Sequence, residues 1–344
     1  MFGRPMKSIP TPLLKLLRWV ALALAFGCTV AVLAGQGGRW NYGLDVLNHF
    51  EPIWLAGSVL ALAFWLAAGR PNRRIPVLAG VAAIVALLQM APELLARRNL
   101  VSPSPQAETL KIIQFNVWSR NIDGPGTLKW ILAQNADVVV LEEALGDPVI
   151  AHSLQRIYPY RRTCDGVSYC EIEMFSKARP IAWAGLLDPA GLPGAWAAYD
   201  GSGGPFVVVG MHAPWPVPAG PQQFTSMVLA KIMASLPKDR MIVAGDFNST
   251  PWSFSLRRQD QLFGLERRTR GLASWPARAY HVFKLDPPFP ILPIDQVYAG
   301  KGWRTVSVER GPRLGSDHYP VIVTLQAAGP QAASIKSPPP PSSR

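Results

Sequence analysis

The chain has 344 residues, with 34 Lys+Arg against 22 Asp+Glu, 49% hydrophobic residues and three cysteines. That length allows more than one domain, and the apolar share excludes a wholly disordered or collagen-like chain. The net charge of +12 is shared evenly: residues 1–108 carry ten basic and four acidic side chains, residues 109–344 carry 24 and 18. The second part is thus only mildly basic. It suits an anionic substrate but lacks the dense basic stripe of a helical nucleic-acid binder.

Three apolar runs come first, at about 13–35, 52–68 and 75–96. Each is long enough to cross a hydrocarbon core as a helix. None carries the polar stripe of a helix buried in a soluble domain. Arg4, Lys7, Lys15 and Arg18 precede or open the first run, and Arg70, Arg73 and Arg74 separate the second from the third. Both basic clusters read as cytoplasmic, while the loop 36–51 holds only Arg39 and reads as external. Arg97 and Arg98 argue weakly against the resulting export of everything downstream. A cleaved first run, with small residues near Ala34, would leave the C-terminal part outside as well. Residues 1–98 are therefore expected to be a multi-pass region of the cell (inner) membrane, with the lipid bilayer as its partner and the remaining domain on the extracytoplasmic side.

Residues 99–108 (NLVSPSPQAE) form a proline-bearing linker, and residues 326–344, ending SPPPPSSR, read as a disordered tail. One mid-sized domain, 109–325, lies between. Cys28 sits in an apolar run and reads as a small buried hydrophobe. Cys164 and Cys170 flank a polar turn; they close a short disulfide loop in an oxidising compartment or stay as two thiols.

Within 109–325, short Val/Ile-rich runs bounded by Gly, Pro, Asn or Asp predict strands at 110–115, 138–141, 206–211, 241–244, 295–298 and 321–325. Helices are expected at 127–134 and 221–235, the second with Phe224, Met227, Val228, Ile232 and Met233 at roughly helical spacing. Fully apolar strands mixed with helices suggest a layered α/β domain.

The reactive-looking residues fall at strand ends, where loops on a rigid scaffold carry chemistry. Asn116 ends KIIQF; its amide ligates through oxygen or holds a phosphate through nitrogen, though such an Asn is most often a turn residue. Glu142 and Glu143 end DVVVL, and strand alternation sends only one of them into a site. His212 follows FVVVGM, and a lone histidine there is more often structural. Asp246 and Asn248 alternate in GDFN and share a face. Asp295 opens IDQVY, and Asp317 and His318 sit in SDHYP. A carboxylate on an imidazole N–H fixes the tautomer and stabilises the charged ring, and Asp295 is the best partner for His318. Carboxylates, amides and imidazoles without a nearby cysteine are a hard-cation set, suiting Mg²⁺, with Mn²⁺ possible, rather than zinc.

Taken in order, FNVWS, LEEA, GMHAPWP, GDFNSTP, IDQVY and GSDHYPV resemble the endonuclease/exonuclease/phosphatase (DNase I-like) superfamily. The resemblance covers about 109–325. It implies a two-sheet α/β sandwich, here preceded by about three transmembrane helices, and metal-dependent hydrolysis of phosphate esters. By motif position it implies Asn116, Glu143 and Asp317 on the metal side. It implies His212 against the scissile phosphate, Asp246 on the attacking water, Asn248 as a phosphate-binding neighbour, and an Asp295–His318 pair. Glu142 stands where the family often has Gln, and Gln296 where it often has His or Tyr. An acid near 171–173, either Glu171 or Glu173, is implied as the partner of His212.

The expected function is a membrane-anchored phosphoesterase acting on phosphodiester bonds, nuclease-like, with nucleic acid as substrate. A phospholipid or inositol-phosphate substrate is the alternative, and a non-catalytic binding domain is a third. Tryptophans 215, 252, 275 and 303 offer a stacking surface or a lipid-facing lip, or are core. Arg257, Arg258, Arg267, Arg268 and Arg270 either track a nucleic-acid backbone or are a solvated loop.

Overall fold

The computed structural model describes residues 10–144, 148–164, 170–186, 192, 194–278 and 286–328. The proline- and serine-rich tail from residue 329 on and the basic residues Arg4 and Lys7 lie outside them.

Chain contacts divide the molecule into two compact units. The first gathers the residues up to Ala96 with Pro216–Gly220 and Ser249–Arg257. Its long helices are α1 (Thr11–Gly35), α3 (Glu51–Ala67) and α4 (Arg74–Leu94), with a short α2 (Tyr42–Asp45) between the first two. All three apolar stretches are long and apolar enough to cross a membrane. They meet through Ala21, Ala25, Ala61, Ile75 and Ala79, all buried. Small residues let helix backbones approach where lipid supplies no hydrophobic drive. Leu16, Trp19, Phe26 and Leu88 point outward and are exposed, as a lipid-facing surface requires. At one end of this unit, Asp45 accepts hydrogen bonds from the backbone N–H groups of Phe254 and Ser255, at 2.9 and 2.6 Å. The N–H of Thr250 donates to Nδ1 of His49, and Gln89 Nε2 donates to the carbonyl of Trp252.

The second unit is a two-sheet sandwich. One sheet runs β11-β12-β1-β2-β4-β3, from β1 (Thr109–Asn116), β2 (Val138–Glu142), β3 (Tyr160–Thr163), β4 (Ile172–Ser176), β11 (Trp303–Arg310) and β12 (Val321–Ala327). The other runs β5-β6-β7-β8-β10-β9, from β5 (Ala182–Gly185), β6 (Gly194–Tyr199), β7 (Phe206–His212), β8 (Met241–Asp246), β9 (Glu266–Arg267) and β10 (Asp295–Ala299). The central pairs β1–β2 and β7–β8 are parallel and their neighbours antiparallel.

Strand alternation sorts the side chains. Ile112, Val140, Met174, Val208, Ala244, Val297 and Val323 fill the space between the sheets. Ile113, Phe115, Val139 and Leu141 face outward onto a second core that includes Ile131 of helix α5 (Gly124–Gln134). Gly245 is required where β8 passes β7, because a Cβ there would collide with the carbonyl oxygen of Met211.

The expected strands are all present, each reaching one or two residues further than predicted. Helix α6 (Ala219–Ala234) buries Met233 of the predicted stripe together with Gln222, Thr225 and Leu229, and Phe224 and Met227 are exposed. Cys164 and Cys170 are joined in a disulfide. Trp252 and Trp303 are buried, whereas Trp215 is 63% exposed. The arginine cluster is no open basic track. Arg268 is buried and donates to the carbonyls of Ala299, Gly300 and Trp303, and Arg267 pairs with Asp260.

Candidate active site

The inner face of each central strand ends in a polar residue at the same edge of the sandwich. On β1 the row Ile112, Gln114, Asn116 runs from core to site; on β2, Val140 leads to Glu142; on β8, Ala244 leads to Asp246; on β7, Val208 leads to His212. Asp295, the first residue of β10, is in register with Asp246. An apolar strand therefore delivers its last inward side chain to a fixed place, which is why these residues converge.

His318 and Asp295 form the tightest pair, with Nδ1 2.8 Å from Oδ2. The other imidazole nitrogen, Nε2, lies 3.6 Å from Oδ2 of Asp246. His212 approaches the same Asp246 oxygen from the other side, with Nε2 at 3.7 Å. Its Nδ1 pairs with Glu171 at 2.9 Å. Glu173 instead pairs with Arg161, so the partner of His212 is Glu171. Asn116 Nδ2 donates to Asp246 Oδ2 at 3.1 Å and to Glu143 Oε1 at 3.0 Å. The Asn248 backbone N–H donates to Asp246 Oδ1 at 2.8 Å, and its side-chain nitrogen lies 3.2 Å from His212 Nε2. Asp317 Oδ2 accepts from the indole N–H of Trp275 at 3.2 Å.

The expectation that only one of Glu142 and Glu143 enters the site is corrected. Glu142 obeys the alternation and is fully buried between the sheets, where it accepts from Gln114. Glu143 lies past the strand end with φ of +57° and turns back to Asn116 and to the N–H of Ser119. Trp118 and Asn248 are also left-handed, at +59° and +44°. Non-glycine residues in that region cost energy and gather at functional sites.

The charges are set by burial and by each other. Burial pulls the His318 pKa down, but Asp295 and then Asp246 outweigh it and push it up to about 10. Burial raises Asp246 from 3.8 to about 6, with His318 opposing and Asp295 reinforcing. Burial also raises Asp317. For His212, burial again acts downward, and Glu171 and Asp246 leave the value raised. Glu142 is driven well above the carboxylate range by burial and then by Asp295 and Asp246. The site thus places a charged imidazole, a carboxylate titrating near neutrality and a carboxyl held neutral side by side. Groups whose environments push their pKa values apart are the usual basis of acid–base division of labour.

A divalent cation fits here chemically. Glu143 and Asp317 lie close enough that the Glu143 charge raises Asp317, and Asp317 Oδ1 is buried with no hydrogen-bond partner. That orphaned oxygen is the acceptor a cation would satisfy. Asn116 Oδ1 is taken by the N–H of Trp118 at 2.9 Å; ligation through oxygen would need its amide turned over. Asp246, Asp295 and His318 also bring ligand atoms within 4.8 Å of one another. Two of these are already paired in the Asp295–His318 contact.

Sequence reasoning named the eight motif residues, and Trp275 only as a stacking, lipid-facing or core residue, but did not single out Gln114 or Ser316 as members of the site. Ser316 Oγ donates to the carbonyl of Asn116 and accepts from the N–H of His318, tying two motifs together. The available signal was Gln114 itself, a polar residue inside an otherwise apolar strand run.

The fold and this array define a class. Residues 113–318 match the sequence profile of the endonuclease/exonuclease/phosphatase family. The chain belongs to that family, whose members generally hydrolyse phosphate esters. Its fold is the two-sheet DNase I-like sandwich, preceded by three helices that fit membrane anchoring. Among solved structures it is similar to SmcL, at 16% identity over 65% of this chain and 100% of that one, with a TM-score of 0.51. Family proteins from Bacteroides thetaiotaomicron and Bacteroides vulgatus align at 14% and 15% identity. Each alignment covers 64% of this chain and 99% of the other, with a TM-score of 0.50. Such identities speak to the fold alone. No curated protein sequence matches the chain.

Proposed function

We propose that this protein is a membrane-tethered phosphodiesterase that hydrolyses its substrate by in-line attack of water, with the catalytic domain, about 109–325, on the extracytoplasmic side. The observation that carries the reading is Asp246, which sits between two imidazoles and beneath Asn248 with a pKa of about 6. A carboxylate poised there is ionised at neutral pH and takes a proton from water as the water attacks phosphorus. His318, held charged by Asp295, donates to a phosphoryl oxygen. His212, oriented by Glu171, and the side-chain nitrogen of Asn248 donate to others as charge builds in the transition state. Glu143 and Asp317, with Asn116 beside them, would hold Mg²⁺ or Mn²⁺. When bound, that ion supplies positive charge against the developing negative charge of the phosphoryl group.

Nucleic acid is the first substrate class to try. A phospholipid ester is the second reading, favoured by the three membrane-length helices and by the engagement of Arg267 and Arg268 within the fold. The test uses the full chain in detergent with Mg²⁺, supplied in parallel with supercoiled plasmid and phospholipid micelles. EDTA and Asp246→Asn serve as controls. Turnover of either substrate that both controls abolish supports the reading and selects the class. Folded protein inert towards both substrates and towards bis(p-nitrophenyl) phosphate would sink it.

A further inference from the structure

Gln114 is fully buried between the sheets, two residues before Asn116 on the same face of β1. Its single amide nitrogen donates twice, to Glu142 Oε2 at 2.9 Å and to Asp295 Oδ1 at 2.8 Å. Glu142 belongs to the neighbouring strand of the same sheet, and Asp295 to the sheet opposite. The amide therefore spans the sandwich with one anchor on each side. Asn116 makes the equivalent crossing one step nearer the surface, to Asp246. Because Asp295 and Asp246 are register partners, a pair of amides on β1 faces a pair of carboxylates on β10 and β8.

The consequence falls on Asp295. Its two carboxylate oxygens are divided: Oδ2 meets Nδ1 of His318, and Oδ1 takes the hydrogen bond from Gln114. A carboxylate held at both oxygens has its plane fixed, and the imidazole it grips is fixed with it. Burying an amide is costly, and Gln114 Oε1 is buried with no hydrogen-bond partner. What that cost secures is the pair of bonds from its nitrogen, one of which holds Asp295.

We propose that Gln114 is a positioning residue for the Asp295–His318 pair, with Glu142 anchoring its amide from behind. The inference rests on the phosphoester-hydrolase reading for its kinetic consequence, but not for its structural one. Without the amide, Asp295 Oδ1 is left buried without its donor. The carboxylate turns to find another, and His318 loses the fixed direction of Nε2 towards Asp246.

The test compares wild type with Gln114→Leu, as full chains in detergent with Mg²⁺, using two readouts. The first is hydrolysis of bis(p-nitrophenyl) phosphate. Loss of a group that orients a site residue is expected to lower kcat roughly 10- to 100-fold. KM is expected to stay within about twofold, because substrate binding is untouched. The second is the low-field proton resonance of the His318 Nδ1–H, assigned by its loss in His318→Ala. It is expected to shift and to exchange faster with solvent in Gln114→Leu. A folded Gln114→Leu protein with unchanged kcat and an unchanged resonance overturns the proposal, as does a fall in kcat with the resonance unmoved. If wild type hydrolyses nothing, the phosphodiesterase reading fails, and the resonance alone still decides whether Gln114 positions the pair. Should Gln114→Leu not fold, Gln114→Asn keeps the amide one methylene too short and is read in the same two ways.

Discussion

Replacing Asp295 by Asn removes a charge 2.8 Å from Nδ1 of His318 and keeps the side-chain shape. His318 in the intact site titrates at about 10, with Asp295 the largest of the groups that raise it. Two unit charges whose centres lie about 4 Å apart attract by about 4 kcal/mol at an effective dielectric constant of about 20. That is about 3 pKa units. The imidazolium is the working form in the proposed reaction, so activity falls where it loses its proton. The alkaline limb of the kcat profile is therefore expected near pH 10 in wild type and about 3 units lower in Asp295→Asn. The assay is bis(p-nitrophenyl) phosphate hydrolysis by the full chain at saturating Mg²⁺, from about pH 5 to pH 10. A bound cation lowers the value in both proteins, so the difference between them is the quantity to read. An alkaline limb that stays within about half a unit of wild type would refute the assignment of Asp295 as the group that charges His318. The same pair has a signature in stability. His318 is raised on folding, so its contribution is complete below the unfolded value of 6.5 and is lost as pH rises through about 10. Asp246, raised from 3.8 to about 6, acts in the same sense at lower pH: burial disfavours its ionised form, and stability declines as pH climbs through that window.

Glu171→Gln removes the charge beside His212 and is expected to lower kcat roughly tenfold with KM little changed, measured with the same chromogenic ester. The Cys164–Cys170 disulfide closes a short loop, and its loss in the paired Cys→Ser variant should destabilise the domain by about 2 kcal/mol on loop-entropy grounds, read as a lowered thermal midpoint. Arg268→Gln strands several carbonyl acceptors in the interior and is expected to cost roughly 3 kcal/mol in chemical denaturation. It is not expected to change the salt dependence of plasmid binding; a flattened salt slope would return Arg268 to the substrate surface.

What could be read from the sequence follows from the way the site is built. Asp246, His212 and Asn116 close inward rows of apolar strands, so hydrophobic runs bounded by polar residues announced both strand and chemistry. Strands β5, β6 and β11 have no such run: Ala182–Gly185 and Gly194–Tyr199 are small-residue stretches, and β11 alternates buried and exposed residues while carrying charge. Their strand state comes from pairing to neighbours, which local composition does not encode. The alternation rule failed at Glu143 because it applies within a strand and Glu143 has just left one. Arg268 was misleading for a related reason. Beside its neighbour Glu266, its acceptors are the carbonyls of Ala299, Gly300 and Trp303 and the hydroxyl of Thr305, which only the fold brings together. The double donation of Gln114 likewise depends on two sheets meeting, and one of its acceptors is 181 residues away in sequence.

Asp45 and His49 accept backbone hydrogen bonds from donors 201 to 210 residues further along the chain. The N-terminal helices and Ser249–Arg257 are therefore one folding unit written in separate pieces of sequence. Helices held in this way do not come away cleanly. A chain starting at residue 97 would carry the Thr250, Phe254 and Ser255 amides without their acceptors, at a cost of about 1–3 kcal/mol for each that stays buried. Replacing the helices with unrelated ones would leave the same unpaired amides. Asn248 is the residue immediately before that stretch, so the amides that lose their acceptors follow directly on the GDFN motif.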